Sequence, residues 1–223
     1  MGYALTITRD GAERIDALVP FAAKASDGRP VLATVAFGPE RVYATDSHAL
    51  GIVEVDGVEV SWETDAPGTV PMVDARDLRK SLKDVRPDAR GPAALATVTF
   101  DERTATLEGG GRTVTLPLVE GTFPAMDKVV GGWRDPAEGG PMPAVSAELL
   151  GRFARLVQAT KPRGSKGPST SGIALVPAEG LGPVQVQVDG LVVGLIMPIR
   201  GIGSVAEARA AAAEAAADAA AAA

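Results

Sequence analysis
A chain of 223 residues is long enough for one large domain or two small ones, and 46% hydrophobic residues with only 4% aromatics describe a core of Val, Leu, Ala and Ile. The absence of cysteine excludes a disulfide framework, a thiolate metal site and a cysteine nucleophile. A net charge of −6 excludes a surface coated in positive charge, but not a local basic one. Residues 4–8 alternate like a short strand. From Asp10, a plausible N-cap, Ile15, Leu18, Val19, Ala22 and Ala23 fall at helical spacing, and Ser26-Asp-Gly28 ends that helix. Residues 31–37 alternate again, Gly38-Pro39-Glu40 turns, and residues 41–55 read as one continuing strand, with hairpin and loop over 56–68. The order then repeats: a strand over 69–73, a helix capped by Asp74 with Leu78, Leu82 and Val85, and a stop near Pro87. Strands follow over 93–100, 104–107 and 113–118, separated by Asp101-Glu-Arg103 and Gly109-Gly-Gly111.

Residues 121–143 are rich in Gly and Pro and read as a linker. A third unit begins at Ser146, which caps a helix bearing Leu149, Leu150, Phe153, Leu156 and Val157 on one face. A polar loop over 161–171 and strands over 173–176, 184–188 and 191–199 complete it. The last strand is an unbroken apolar run closed by Pro198 and Arg200; Pro198 cannot donate to a ladder, so Met197, Pro198 and Ile199 form an apolar lip beside a cation. Repetition of a strand-helix-strands unit predicts an internally symmetric α+β fold, with helices on one face of antiparallel sheets. Its division is 1–120 as a domain of two units, 121–143 as linker, 144–200 as a shortened second domain and 201–223 as a tail. Ser204-Val-Ala-Glu207 matches a capping box and the rest of the tail is nearly all alanine, so it is helical or disordered and outside the core. No signal peptide is expected from residues 1–14, and no apolar stretch is long enough for a bilayer, so the chain reads as cytoplasmic.

Three short motifs carry a family resemblance. Ala44-Thr-Asp-Ser-His-Ala-Leu50, preceded by Arg29-Pro-Val-Leu32, resembles the Ala-Thr-Asp-Gly-His-Arg-Leu region of the bacterial DNA polymerase III β subunit, the replicative sliding clamp. Gly121-Thr-Phe-Pro-Ala-Met-Asp-Lys-Val129 is similar to that family's interdomain linker, and Met197-Pro-Ile-Arg200 to its Met-Pro-Met-Arg end. The resemblance covers residues 1–200. It implies the DNA-clamp fold, no enzymatic activity and no cofactor, and a hydrophobic pocket for short linear peptides of polymerase and clamp loader. By motif, that pocket comprises Leu32, Thr45, His48, Leu50, Pro124, Val129, Leu195, Met197, Pro198, Ile199 and Arg200. Pliable apolar side chains with a few polar groups suit such a cleft. His48, the sole histidine, is either a rim group or a surface residue without a role. Ala49 stands where the family has arginine, which removes one polar handle and implies a different peptide preference.

The family has three domains of two units each and closes as a dimer; three units here imply a ring of four chains, or of three if a fourth unit is hidden. Such shortness suggests a phage or other mobile replicon. Encircled double-stranded DNA, bound without regard to sequence, requires cations on the helices. The candidates are Lys24 near the first helix, Arg76, Arg79, Lys80 and Lys83 on the second, and Arg152, Arg155, Lys161, Arg163 and Lys166 on or after the third. An adaptor or decoy that binds clamp-motif peptides without closing around DNA would need the same pocket. Catalysis is not expected: Asp46, Ser47 and His48 lie too close in one presumed strand to converge as a triad, and Gly109-Gly-Gly111 lacks the lysine and helix of a phosphate loop.

Overall fold
Strand β1 (Tyr3–Thr8) runs directly into helix α1 (Arg9–Leu18) because Thr8 caps it, its hydroxyl accepting the Gly11 N–H at 3.0 Å. The cap is therefore Thr8 and not Asp10, whose carboxylate lies in the first turn, where the helix dipole favours it. This computed structural model describes residues 3–38, 41–54, 70–85, 95–126, 129, 143–159, 172–177, 182–188 and 191–199. The expected features at 39–40, 56–68 and 161–171, the stop at Pro87, most of the linker, Arg200 and the tail lie outside these residues. Helix α1 ends earlier than its spacing suggests because Pro20 has no N–H to continue it. A 3₁₀ turn, Val19–Phe21, takes over and buries Phe21. A third 3₁₀ turn, Pro30–Ala33, which follows one at Ala25–Asp27, occupies what reads as the start of a strand, so β2 is only Thr34–Phe37.

Residues 41–55 read as one strand but form a hairpin, β3 (Arg41–Thr45) and β4 (Ala49–Glu54). Asp46 makes the reversal: its carboxylate accepts the N–H groups of His48 and Ala49 at 2.8 and 2.9 Å. Ser47 turns the corner at a φ of 76°. The second unit follows its expected order. Strand β5 (Met72–Asp74) leads into α2 (Ala75–Asp84), and Asp74 caps it by accepting the N–H groups of Arg76 and Asp77. Strands β6 (Leu95–Phe100), β7 (Thr104–Gly109) and β8 (Arg112–Pro117) form a meander. Gly110 and Gly111, with φ of 57° and 72°, make its second turn, a backbone shape that favours glycine. In the third unit Ser146 accepts the Leu149 N–H at the head of α3 (Ala147–Ala159). Strands β9 (Ile173–Val176), β10 (Val184–Val188) and β11 (Leu191–Ile196) complete it.

All strand pairs are antiparallel. One sheet runs β1-β6-β7-β8 and the other β5-β2-β3-β4-β11-β10-β9. The first two units exchange strands: β1 pairs with β6, and β5 with β2. The first strand of each unit thus depends on the second strand of the other. Among the described residues the third unit has no such mate, and residues 143–146 before α3 accordingly form no strand. Instead the Ala144 carbonyl accepts the Ile199 N–H at 2.9 Å.

The third unit joins the first through β4 and β11, where Gly51 pairs with Gly194 and Leu50 with Leu195. On the helical side of this seam Phe21 and Phe153 meet edge to face with ring centroids 4.7 Å apart, an arrangement that adds roughly 0.5–1.5 kcal/mol to area burial. The two glycines make room for it. A Cβ at Gly51 would come within 2.8 Å of Leu18 and 2.9 Å of the Phe21 ring. A Cβ at Gly194 would lie 2.0 Å from the Leu50 carbonyl and 2.5 Å from Phe153. The main core contains α1, α2, α3 and the inward faces of both sheets. A second cluster, on the other face of the seven-stranded sheet, joins Leu50, Ile52 and Leu195 to Met72, Phe123 and Met126.

Candidate functional site
Among the described residues three large hydrophobic side chains are exposed, and all three belong to the lip and linker motifs: Val129 at 41%, Met197 and Ile199 at 36% each. Met197 and Ile199 flank the buried Pro198 directly after β11. The sheet ladder stops at the Ile196–Ala49 pair, and one further bond follows, from the Met197 N–H to the His48 carbonyl at 2.8 Å. Beside the lip, Leu50 and Leu195 are cross-strand partners, both buried under Phe123 and Met126. Thr45 pairs with Leu50 on the opposite strand. Pro124 is exposed next to Phe123, and Val129 follows Met126 by three residues, its N–H donating to Ala125. Leu32 is half-buried in the 3₁₀ turn that starts after Arg29, and the Arg29 guanidinium donates to the Ser47 hydroxyl at 2.9 Å. The candidate residues therefore come from β3, β4, β11 and the segments next to them, from the 3₁₀ turn before β2, and from the segment after β8. Thr45 has a local task, since its hydroxyl donates to the Ala49 carbonyl and accepts the Ser47 N–H. The His48 side chain is exposed.

Ala49 is 3% exposed and packs in the main core, on the opposite side of the sheet from Leu50. Its small size fits that packing. The turn has a guanidinium from elsewhere: Arg152 of α3 donates to Asp46 at 2.6 Å, with the two side chains 19% and 14% exposed. Burial pushes the Asp46 carboxyl up, but the Arg152 guanidinium and the Ala49 and His48 N–H groups outweigh it and hold the group below the usual aspartate value.

The expected DNA-facing cations divide into two sets. Arg152 is engaged by Asp46 and, at 3.6 Å, by Glu148; Arg79 is engaged by Asp16 of α1 at 3.0 Å. Lys24, Arg76, Lys80, Lys83 and Arg155 are exposed, while Lys161, Arg163 and Lys166 fall outside the described residues. Lys24, Arg76 and Arg152 line one cleft of about 430 Å³ on the helical side, facing Asp27, Asp46, Asp74 and Glu148. This cleft is near balanced in charge and separate from the exposed apolar lip.

Asp46, Ser47 and His48 sit in a turn rather than in a strand, and their side-chain bonds hold that turn and its neighbours. Among the described residues no group of three His, Asp or Glu is placed to hold a metal ion, and no helix is long and apolar enough to cross a membrane. Sequence reasoning missed the Asp46–Arg152 pair, the Gly51–Gly194 pair and the cover formed by Phe123 and Met126. Only the glycines left a local signal, since each interrupts an apolar strand where a close approach is the usual reason.

No family model and no curated protein sequence matches the chain. Solved structures do. A DNA polymerase III β subunit from Eubacterium rectale superposes with a TM-score of 0.62 at 12% identity, over 88% of this chain and 65% of that one. The β subunit from Borrelia burgdorferi, solved with a natural product, gives 0.60 at 14% identity, over 89% and 64%. The sliding clamp from Bartonella birtlesii, solved with griselimycin, gives 0.57 at 14% identity, over 88% and 66%. The fold is that of the sliding clamps, and the chain spans about two thirds of the length of these neighbours.

Proposed function
We propose that the chain is a processivity factor of the sliding-clamp kind. Several copies form a ring around duplex DNA, and the lip beside β4 and β11 holds short linear peptides of a replicative polymerase and of a clamp loader, with the work done in the cytoplasm. The observation that carries this proposal is the exposure of Met197 and Ile199 directly after β11, whose Leu195 belongs to a buried apolar cluster with Leu50, Phe123 and Met126. Exposed, pliable apolar groups next to ordered backbone are what a docking peptide needs. The exposed cations of α2 and α3 supply phosphate contacts that do not depend on sequence.

A second reading has one specific observation in its favour. Strands β4 and β11, the last strands of the first and third units, pair within the chain, and the described residues contain no fourth unit to extend a ring. A clamp-derived adaptor that binds the same peptides without closing around DNA fits that arrangement.

Both roles need the lip, so it is tested first. A fluorescently labelled clamp-binding peptide from a bacterial replicative polymerase should bind the full chain. Met197→Ala, at an exposed position, should weaken it by about tenfold or more without loss of fold. Equal affinity in wild type and M197A would remove the peptide-binding role.

A further inference from the structure
The lip hangs on two backbone acceptors, and both lead to α3. The Met197 N–H donates to His48 in the β3–β4 turn, and the Ile199 N–H donates to Ala144, two residues before the helix cap Ser146. The turn itself is divided between the two oxygens of one carboxylate. Asp46 Oδ1 takes the His48 and Ala49 N–H groups, while Oδ2 takes Arg152, which lies 106 positions away on α3. On its other side the turn is tethered by Arg29 through Ser47.

We propose that Asp46 and Arg152 are positioning residues for the lip, their ion pair fixing the β3–β4 turn to α3 so that the His48 carbonyl holds Met197 in place for a peptide. Neither side chain belongs to the lip, so the effect passes through the turn. The pair is well placed for this: its side chains are 14% and 19% exposed, so the bond is only weakly screened by water. The remaining contact of Arg152, to Glu148, is longer at 3.6 Å and has an 84% exposed partner, so it cannot replace the first. Without the Asp46 contact, the turn keeps its local hydrogen bonds but loses its direct ion-pair tether to α3. The lip then varies in position, and a peptide must order it on binding.

The proposal rests on the peptide-binding role of the lip, and its test separates the two. Full-length chain with ¹³C-methyl methionine gives a Met197 resonance, assigned by its disappearance in M197A, and the labelled polymerase peptide gives an affinity. Asp46→Asn keeps an oxygen for the His48 and Ala49 N–H groups while removing the charge that holds Arg152. Arg152→Gln removes the other partner. Each should shift the Met197 methyl resonance and weaken the peptide by about five- to tenfold, and the double variant should be no weaker than the weaker single one. Leu107→Ala, in the core of the other sheet, is the control: it lowers the melting temperature but should leave both the resonance and the affinity unchanged. An unshifted Met197 resonance and wild-type affinity in D46N and R152Q would overturn the proposal, as would an equal effect in L107A. Absence of peptide binding in the wild type would overturn the peptide role instead, and the methyl resonance alone would then decide the positioning.

Discussion
Asp46 makes three hydrogen bonds with two oxygens, and each depends on its charge or shape in the folded state. Its carboxyl is held below the ordinary aspartate value, so its stabilising contribution is complete above the unfolded pKa of about 3.9. That contribution is lost as pH falls through the depressed folded value. Thermal stability should therefore drop on acidification below about pH 4, and D46N should show a smaller drop over the same window. Identical slopes in wild type and D46N would show that Asp46 is not the group responsible. Asp101, also depressed by bonds to Arg103 and Thr104, contributes equally to both proteins and cancels in the comparison. Gly194 offers a second test at this scale. Gly194→Ala places a methyl against the Leu50 carbonyl and Phe153 and should cost at least about 3 kcal/mol. Gly28→Ala, at a φ of 68° with open space around it, should cost only about 1 kcal/mol. Denaturant midpoints check both; equal losses would mean that the seam tolerates a side chain.

The elements show which parts of this fold are legible in sequence. Helices α2 and α3 follow directly from apolar periodicity and from caps at Asp74 and Ser146, because both signals are local. The β6–β8 meander follows from alternation and from the turns at Asp101 and Gly110-Gly111. The β3–β4 hairpin stayed hidden because Asp46-Ser47-His48 contains neither glycine nor proline and is flanked by strand-forming residues; a side-chain carboxylate makes the turn. Met197, Pro198 and Ile199 were legible as an apolar lip from the run that Pro198 closes, whereas the peptide-binding role and the other lip residues were legible only through motif resemblance. What organises them, the pairing of β4 with β11 and the ion pair across 106 positions, is long-range and leaves no local pattern. Charge on the helices behaves the same way. Arg79 and Arg152 read as DNA-facing cations but are held by Asp16 and Asp46, whereas Lys80 and Lys83 are exposed on α2. Reversing both lysines, Lys80→Glu and Lys83→Glu, should reduce DNA binding at low salt by roughly tenfold and flatten its salt dependence. Unchanged binding would remove α2 from the DNA-facing surface.

At the scale of the molecule, three units share two sheets. The exchange of first strands between the first two units makes them interdependent, while the third is attached through β4–β11 and the Phe21–Phe153 contact. With β4 and β11 paired internally, assembly of copies has to use other edges, such as β8 or β9. Unlike edges can close a ring of identical chains, whereas pairing of one edge with itself stops at a two-fold dimer. The mass in solution therefore separates the possible roles, and light scattering on the full chain at micromolar concentration is the most direct test. A mass of three or four chains is the result the ring predicts. A monomer or a two-chain species that does not grow with concentration would contradict it and leave the lip as the binding surface of an adaptor.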